Sequence, residues 1–134
     1  ASDVYKRQVM PQSGYYLASA ADSIFLHPQG GMEWLGFSSN IIFLKGMLDK
    51  LGIEAQVFYA GKFKSATEPF RATAMTAENK LQTSVYLNDL YDHFIQTVAN
   101  DRKISDNNLK DWANTAAIQT SYDAKKYGLI DGLM

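Results

Sequence analysis

The feature that most constrains the fold of this chain is a long apolar stripe in its second half. After Thr76, whose hydroxyl suits a helix N-cap, apolar side chains recur near a period of 3.6 residues until about Asp101. The stripe comprises Leu81, Val85, Leu87, Leu90, Phe94, Ile95 and Val98. We therefore predict one long amphipathic helix, and such a helix is stable only when its apolar face packs against another layer.

Short apolar segments bounded by turn residues predict the strands of that layer. Residues 23–26 and 53–59 are of strand length and rich in apolar residues, and residues 129–130 favour a terminal strand. Residues 27–31, His-Pro-Gln-Gly-Gly, are typical of a turn, and residues 60–75 of a loop. Strands that alternate with helices indicate a layered α/β or α+β domain.

Four shorter helices complete the expected secondary structure. The first is expected to have its N-cap at Ser13, and the second to run from about Ser39 to a glycine cap at Gly52. The third covers residues 107–112, and the fourth begins at Thr120 or Ser121 and ends at Gly128.

The composition narrows the classes of function. The chain has 134 residues, of which 46% are apolar, enough for one domain with a core. Thirteen basic and fourteen acidic side chains argue against a nucleic-acid partner. The absence of cysteine excludes thiol catalysis. His27 and His93 lack carboxylates at ligand spacing, so we expect no metal and no cofactor.

The two ends of the chain predict a fragment. Asp-Val-Tyr-Lys-Arg-Gln at residues 3–8 resembles the translated end of a sequencing adaptor, so residues 1–8 are expected to be a non-native segment. Residues 9–134 are then a partial domain, because residues 128–134 stop on an apolar side chain without a capping signal.

Lys64 is the candidate catalytic residue. A lysine acts as a base near neutral pH only where burial or nearby positive charge disfavours its ammonium form. Lys62 lies two residues away, and in an extended segment the two would point the same way and repel each other. From spacing alone, an ordinary surface lysine in a loop is the favoured interpretation of Lys64.

Five collinear segments carry a resemblance to a known family. They are residues 13–22, 26–30, 48–52, 61–70 and 124–131. The most specific is Gly-Lys-Phe-Lys-Ser-Ala-Thr-Glu-Pro-Phe at residues 61–70, which resembles the Gly-x-Tyr-Lys-Ser-Ala-x-Glu-Pro-Phe segment of the signal peptide peptidase A family, also called protease IV. The match covers essentially everything after Gln8.

The resemblance implies an α/β fold of the ClpP/crotonase-like type and a Ser/Lys dyad shared between two tandem domains. By position, Lys64 takes the role of general base, and Lys62 does not. Gln12 aligns with the nucleophile position, so the serine is expected in a second domain and this chain alone is expected to be inactive. An alignment that makes Ser13 the nucleophile is the alternative, since short members of the family carry both dyad residues.

The resemblance also implies partners and a location. The expected substrates are signal peptides, the expected assembly is a homo-oligomer, and the expected place is the periplasmic or extracellular face of the bacterial inner membrane, through an anchor absent from this sequence. Two other readings stay open: a crotonase-type acyl-CoA enzyme, and a non-catalytic structural half. Within the lysine segment we expect Glu68 to be structural, because a carboxylate beside the base would favour its charged form.

Overall fold

A computed structural model describes residues 2–134 and divides them between two compact units. The first unit runs to Gly36 and resumes at Leu90–Met134, and the second is Phe37–Asp89. In chain order the elements are β1 (Asp3–Lys6), α1 (Gln12–Ala18), β2 (Ser23–Leu26), α2 (Lys45–Lys50), a 3₁₀ turn (Ser65–Thr67), α3 (Glu68–Arg71), α4 (Ala77–Arg102), α5 (Asp106–Asn114), α6 (Ser121–Lys126) and β3 (Gly132–Leu133).

A parallel sheet lies in the first unit, with strand order β1-β2-β3. Val4 pairs with Ile24 and Leu26 pairs with Leu133. The strand predicted at residues 23–26 is confirmed with the same bounds. The prediction of a strand at residues 129–130 is wrong by about three residues, because the Leu129 N–H donates to the Ala124 carbonyl and so belongs to the turn that ends α6.

The segment set apart on sequence grounds contributes the edge strand. Residues 3–6 form β1 and pair with β2 along their whole length, and the Tyr5 ring stacks on Phe25 at 5.1 Å between ring centroids. Residue 1 lies outside the described part of the chain. The non-native origin of residues 1–8 stays a prediction.

Helix ends in the first unit show which capping predictions hold. Thr120 caps α6 as predicted, in a box where its hydroxyl accepts the Asp123 N–H and the Asp123 carboxylate accepts the Thr120 N–H. Gly128 follows with φ of +77°, as expected of a C-terminal glycine cap. Ser13 is not a cap, which corrects the prediction, because α1 begins one residue earlier at Gln12 with Pro11 at its N-cap.

The hydrophobic core belongs to the first unit. It includes Tyr15, Ile24, Leu26, Trp34, Phe94, Ile95, Val98, Leu109, Ile118, Leu129 and Ile130. The two large polar aromatics in it are satisfied, since the Tyr15 hydroxyl donates to the Leu129 carbonyl at 2.6 Å and the Trp34 Nε1–H to the Leu109 carbonyl at 2.9 Å. Only the C-terminal end of the predicted apolar stripe of α4 is buried here.

The second unit differs from the sequence prediction. Residues 53–59 form no strand, and α2 begins about six residues later than the helix predicted from Ser39. A strand needs a neighbouring strand to satisfy its backbone, and the described residues of this unit provide none. Phe58, the sixth of these seven residues, is 94% exposed. Gly52, with φ of +68°, does follow α2 as predicted.

No helix in residues 2–134 is both long enough and apolar enough to cross a membrane.

Candidate functional site

Lys64 occupies the N-cap of the 3₁₀ turn that leads into α3. Its side chain is exposed, and within residues 2–134 it makes no hydrogen bond or ion pair. Lys62 is exposed as well, and it lines an open cavity of about 360 Å³ together with Glu68 and Arg71. The two lysines therefore differ in position: Lys64 begins a hydrogen-bonded turn, whereas Lys62 lies in the irregular segment before it.

Glu68 is buried and fully hydrogen-bonded, four residues after Lys64. It is 1% exposed, and its Oε1 accepts the Thr76 hydroxyl at 2.5 Å. Its Oε2 accepts the Asn79 side-chain amide at 2.7 Å and the Thr76 backbone N–H at 3.3 Å. The carboxylate thus joins the first residue of α3 to the beginning of α4.

These donors set the protonation state of Glu68. The Thr76 hydroxyl, chiefly, holds the pKa of Glu68 below its ordinary value, with the Asn79 amide, the Thr76 N–H and the Arg71 charge acting in the same direction. Burial acts in the opposite direction, because it disfavours the charged form. The expectation that Glu68 is structural agrees with these bonds.

Arg71 binds three neighbours of the lysine segment. Its Nε donates to the Thr67 hydroxyl at 3.3 Å, its Nη2 lies 3.6 Å from Glu68 Oε1, and its guanidinium carbon lies 4.0 Å from the centre of the Tyr59 ring. An arginine over an aromatic face is an attractive cation–π arrangement. Arg71 therefore ties the segment before Lys64 to the turn and helix after it.

A backbone hydrogen bond also joins α3 to the start of α2. The Leu44 N–H, at the start of α2, donates to the Pro69 carbonyl at 2.7 Å. The Ala72 N–H donates to the Glu68 carbonyl at 2.9 Å. The residues that follow Lys64 are consequently fixed to both α2 and α4.

Sequence reasoning did not find Arg71, Asn79 or the second role of Thr76. Thr76 was predicted as an N-cap, and its hydroxyl does accept the Asn79 N–H at 3.3 Å. The bond from the same hydroxyl to Glu68 spans eight residues, and no local pattern predicts it. The one signal in the sequence was Thr76-x-x-Asn79, two side chains able to donate, which begins eight residues after the carboxylate of Glu68.

Gln12 and Ser13 lie at the start of α1, in the first unit. The Gln12 side chain pairs with the backbone of Leu35, donating to its carbonyl at 2.8 Å and accepting its N–H at 3.3 Å. Ser13 is the second residue of the helix and is exposed. The residue that the resemblance aligns with the nucleophile is therefore an amide hydrogen-bonded to the backbone.

The glycines of the predicted turn are structural. The Gly30 N–H donates to the His27 carbonyl at 2.8 Å and closes the turn, as predicted. A Cβ on Gly30 would lie 2.9 Å from the Gln8 carbonyl oxygen, so only glycine fits there. In the described part of the chain each imidazole ring has one hydrogen-bond partner, the Gln29 N–H for His27 and the Tyr16 hydroxyl for His93. Within residues 2–134 there is no group of three side chains able to hold a metal ion.

Comparison with known proteins identifies the class. The chain is 39% identical over 98 residues to Protease 4 of Salmonella typhi and 38% identical over 93 residues to Protease 4 of Haemophilus influenzae. These alignments cover 73% and 69% of this chain but only 16% and 15% of the relatives. It is 33% identical over 85 residues to the chloroplastic serine protease SPPA of Arabidopsis thaliana, covering 63% of this chain and 13% of that protein.

The three relatives described above are proteases by name, and the fold is a mixed α/β domain with a small parallel sheet. The profile of peptidase family S49 matches residues 3–134, so the chain belongs to that family, to which signal peptide peptidase A also belongs. The family resemblance stated from the sequence is confirmed. The chain spans about a sixth of the length of the Protease 4 relatives.

Proposed function

We propose that this chain is the lysine-bearing part of a Ser/Lys endopeptidase built from ClpP/crotonase-like domains, and that Lys64 is its general base. The observation that carries the proposal is the coincidence of the family match with the geometry of the lysine segment. The match spans residues 3–134, and Lys64 is the residue from which a fixed 3₁₀ turn departs.

The reaction begins with a proton transfer. The neutral amine of Lys64 accepts the proton of a serine hydroxyl supplied by a second domain, while the serine oxygen attacks the peptide carbonyl. The tetrahedral intermediate collapses to an acyl-enzyme, and the lysine returns the proton to the leaving amine. Water then attacks the acyl-enzyme, with Lys64 again accepting a proton, and releases the second product.

A covering domain is required for this role. Lys64 is exposed in residues 2–134, and an amine is available as a base near neutral pH only where water is removed or positive charge is close. We propose that the serine-bearing domain covers Lys64 and supplies both the nucleophile and the desolvation. Gln12 occupies the aligned nucleophile position here, so this chain alone does not hydrolyse peptides.

The proposed substrates are cleaved signal peptides, and the proposed setting is the periplasmic or extracellular face of the bacterial cell membrane. The full-length protein is proposed to be anchored there by a helix outside this sequence and to assemble as a homo-oligomer. Support comes from membership of the family of signal peptide peptidase A and from the small share of the relatives that this chain spans.

Substitution of the two lysines in the full-length parent tests the base. Lys64→Ala is expected to lower kcat/KM for a peptide substrate by about 10²–10⁴-fold, the usual contribution of a general base. Lys62→Ala is the matched control and is expected to leave kcat/KM close to the parent value. Unchanged activity in Lys64→Ala would overturn the assignment and favour a structural half.

The isolated chain offers a second arm of the same test. Incubation with an activated peptide ester is expected to give no hydrolysis above the buffer rate. Turnover that disappears in Ser13→Ala would instead make Ser13 the nucleophile and overturn the alignment at Gln12.

A further inference from the structure

We propose that Glu68, Thr76 and Asn79, here called the Glu68 clamp, are positioning residues that place the Lys64 backbone for proton transfer. The proposal rests on the proposed role of Lys64 as general base. It assigns to these three residues a function beyond stabilising the loop. They fix the position of the 3₁₀ turn, and the position of the turn determines where Lys64 lies.

The burial of the clamp makes it a rigid point. Glu68 and Asn79 are 1% and 3% exposed, and they are the fully buried residues of Phe37–Asp89 in the described part of the chain. A buried carboxylate is tolerated only when its oxygens are paired, and here three donors from two residues of one helix end fill both oxygens. Movement of Glu68 would break several bonds at once.

The clamp is connected to Lys64 through a single turn. The Glu68 N–H donates to the Ser65 carbonyl and closes the 3₁₀ turn, of which Lys64 is the N-cap. Three residues therefore separate the base from the buried carboxylate, and their backbone is fixed by that bond. A shift of Glu68 relative to α4 would carry Lys64 with it, and a displacement of about 1 Å at a reacting group can cost about 10²-fold in rate.

The same bonds engage both carboxylate oxygens with partners other than the base. Hydrogen bonds from Thr76 and Asn79 occupy the Glu68 oxygens, and the Arg71 guanidinium at 3.6 Å offsets its charge. A carboxylate that paired with the amine would favour the ammonium form and oppose catalysis. The clamp thus positions the lysine without favouring its ammonium form.

The Asn79 side chain is itself fixed by a fourth residue. Its Oδ1 accepts the Thr83 hydroxyl at 3.2 Å, one helical turn further along α4, so its amide N–H₂ faces Glu68. An amide oriented in this way donates to a carboxylate and would repel a second amide donor. The pair is therefore sensitive to which partner carries the donor.

Exchange of donor and acceptor in the full-length parent tests the proposal. Glu68→Gln places a donor opposite the Asn79 amide, and Asn79→Asp places a carboxylate opposite Glu68. Each single variant is expected to lower kcat by about 10–100-fold with KM near the parent value. The double variant, which restores one donor facing one acceptor, is expected to recover a substantial part of kcat. Glu78→Gln makes the same change at the residue next to Asn79. It is the control, and its kcat is expected to equal that of the parent.

The Lys64→Ala background separates this proposal from the previous one. If the clamp acts through Lys64, Glu68→Gln should not lower the residual rate of Lys64→Ala further. Additive losses, or a loss confined to KM, would overturn the clamp as a positioning device. An inactive Lys64→Ala beside a fully active Glu68→Gln would overturn the clamp alone, whereas an active Lys64→Ala would overturn the base.

A milder variant keeps the test decisive if Glu68→Gln does not fold. Asn79→Ala removes one donor at a helical position that favours alanine. It is expected to keep a folded circular dichroism spectrum and to lose kcat in the same direction. A folded Asn79→Ala with parental kcat would contradict the proposal.

Discussion

At the scale of single residues, each unit contains a hydrogen-bonded carboxylate that joins separate segments of the chain. Glu68 joins α3 to α4 in the second unit. In the first unit Asp131 joins the end of the chain to the sheet, since its Oδ2 accepts the Ile24 N–H at 2.8 Å and its Oδ1 accepts Arg102 Nη2 at 3.0 Å. The Arg102 guanidinium, chiefly, lowers the pKa of Asp131 below its ordinary value.

The lowered pKa of Asp131 predicts a pH-dependent contribution to stability. A carboxyl with a depressed folded-state pKa stabilises the fold above its unfolded pKa of about 3.9, and that contribution is lost as pH falls through the folded value. At pH 7 the Asp131→Asn variant is therefore expected to have a lower urea midpoint of unfolding than the parent, and the difference is expected to shrink below about pH 4. Urea unfolding of both proteins at pH 7 and below about pH 4 measures this difference.

Asp111→Asn is the control for that comparison. The Asp111 carboxylate makes no hydrogen bond or ion pair within residues 2–134, so its removal should leave the urea midpoint unchanged at either pH. A pH-independent loss of stability in Asp131→Asn would show that the negative charge of Asp131 is not the source of its contribution.

At the scale of elements, helix ends separate two kinds of capping signal. Thr120 and Asp123 form a reciprocal box three residues apart, which satisfies backbone groups that the helix itself leaves free. Ser13 had the right residue type but not the right position, because Pro11 fixes the chain direction one residue before α1 begins. A capping residue is informative where its reciprocal partner is also present.

Two serine and threonine substitutions test this difference. Thr120→Ala is expected to lower the free energy of unfolding by about 1 kcal/mol, since it removes the acceptor of the Asp123 N–H. Ser13→Ala is expected to change it by less than about 0.5 kcal/mol. Chemical unfolding followed by circular dichroism measures both, and equal losses would contradict the assignment of the two helix ends.

At the scale of the whole molecule, burial is unevenly distributed along the chain. The buried apolar side chains of residues 2–134 all belong to the first unit, whereas Phe37–Asp89 exposes Ile42, Phe58 and Leu81 by more than half. Buried apolar area is the main source of folding free energy. The second unit therefore has little stabilisation of its own from burial.

Hydrogen exchange of the isolated chain measures that difference. Amides of β2 and of the buried end of α4, around Phe94–Val98, are expected to exchange slowly, because opening them disrupts the core. Amides of residues 53–59 are expected to exchange within the dead time, since they form no strand. Comparable protection of the two regions would contradict this reading of the second unit.

Sequence by itself determined the features whose partners lie within a few residues. The capping box of Thr120, the glycine caps at Gly52 and Gly128 and the long helix after Thr76 all follow from local hydrogen bonds and helical periodicity. The family followed from sequence as well, because five short segments in fixed order carry it. Lys64 was identified in the same way, and its role as base stays a prediction.

Only the tertiary structure decided the features whose partners are distant or missing. Residues 53–59 have strand composition but no strand beside them, and a strand is stable only when a neighbour satisfies its backbone. Half of the apolar stripe of α4 is exposed for a related reason, since periodicity shows which face is apolar but not what covers it. The pairing of Glu68 with Thr76 and Asn79 spans up to 11 residues. Only the tertiary structure brings these side chains into contact, so no local sequence pattern predicts the pairing.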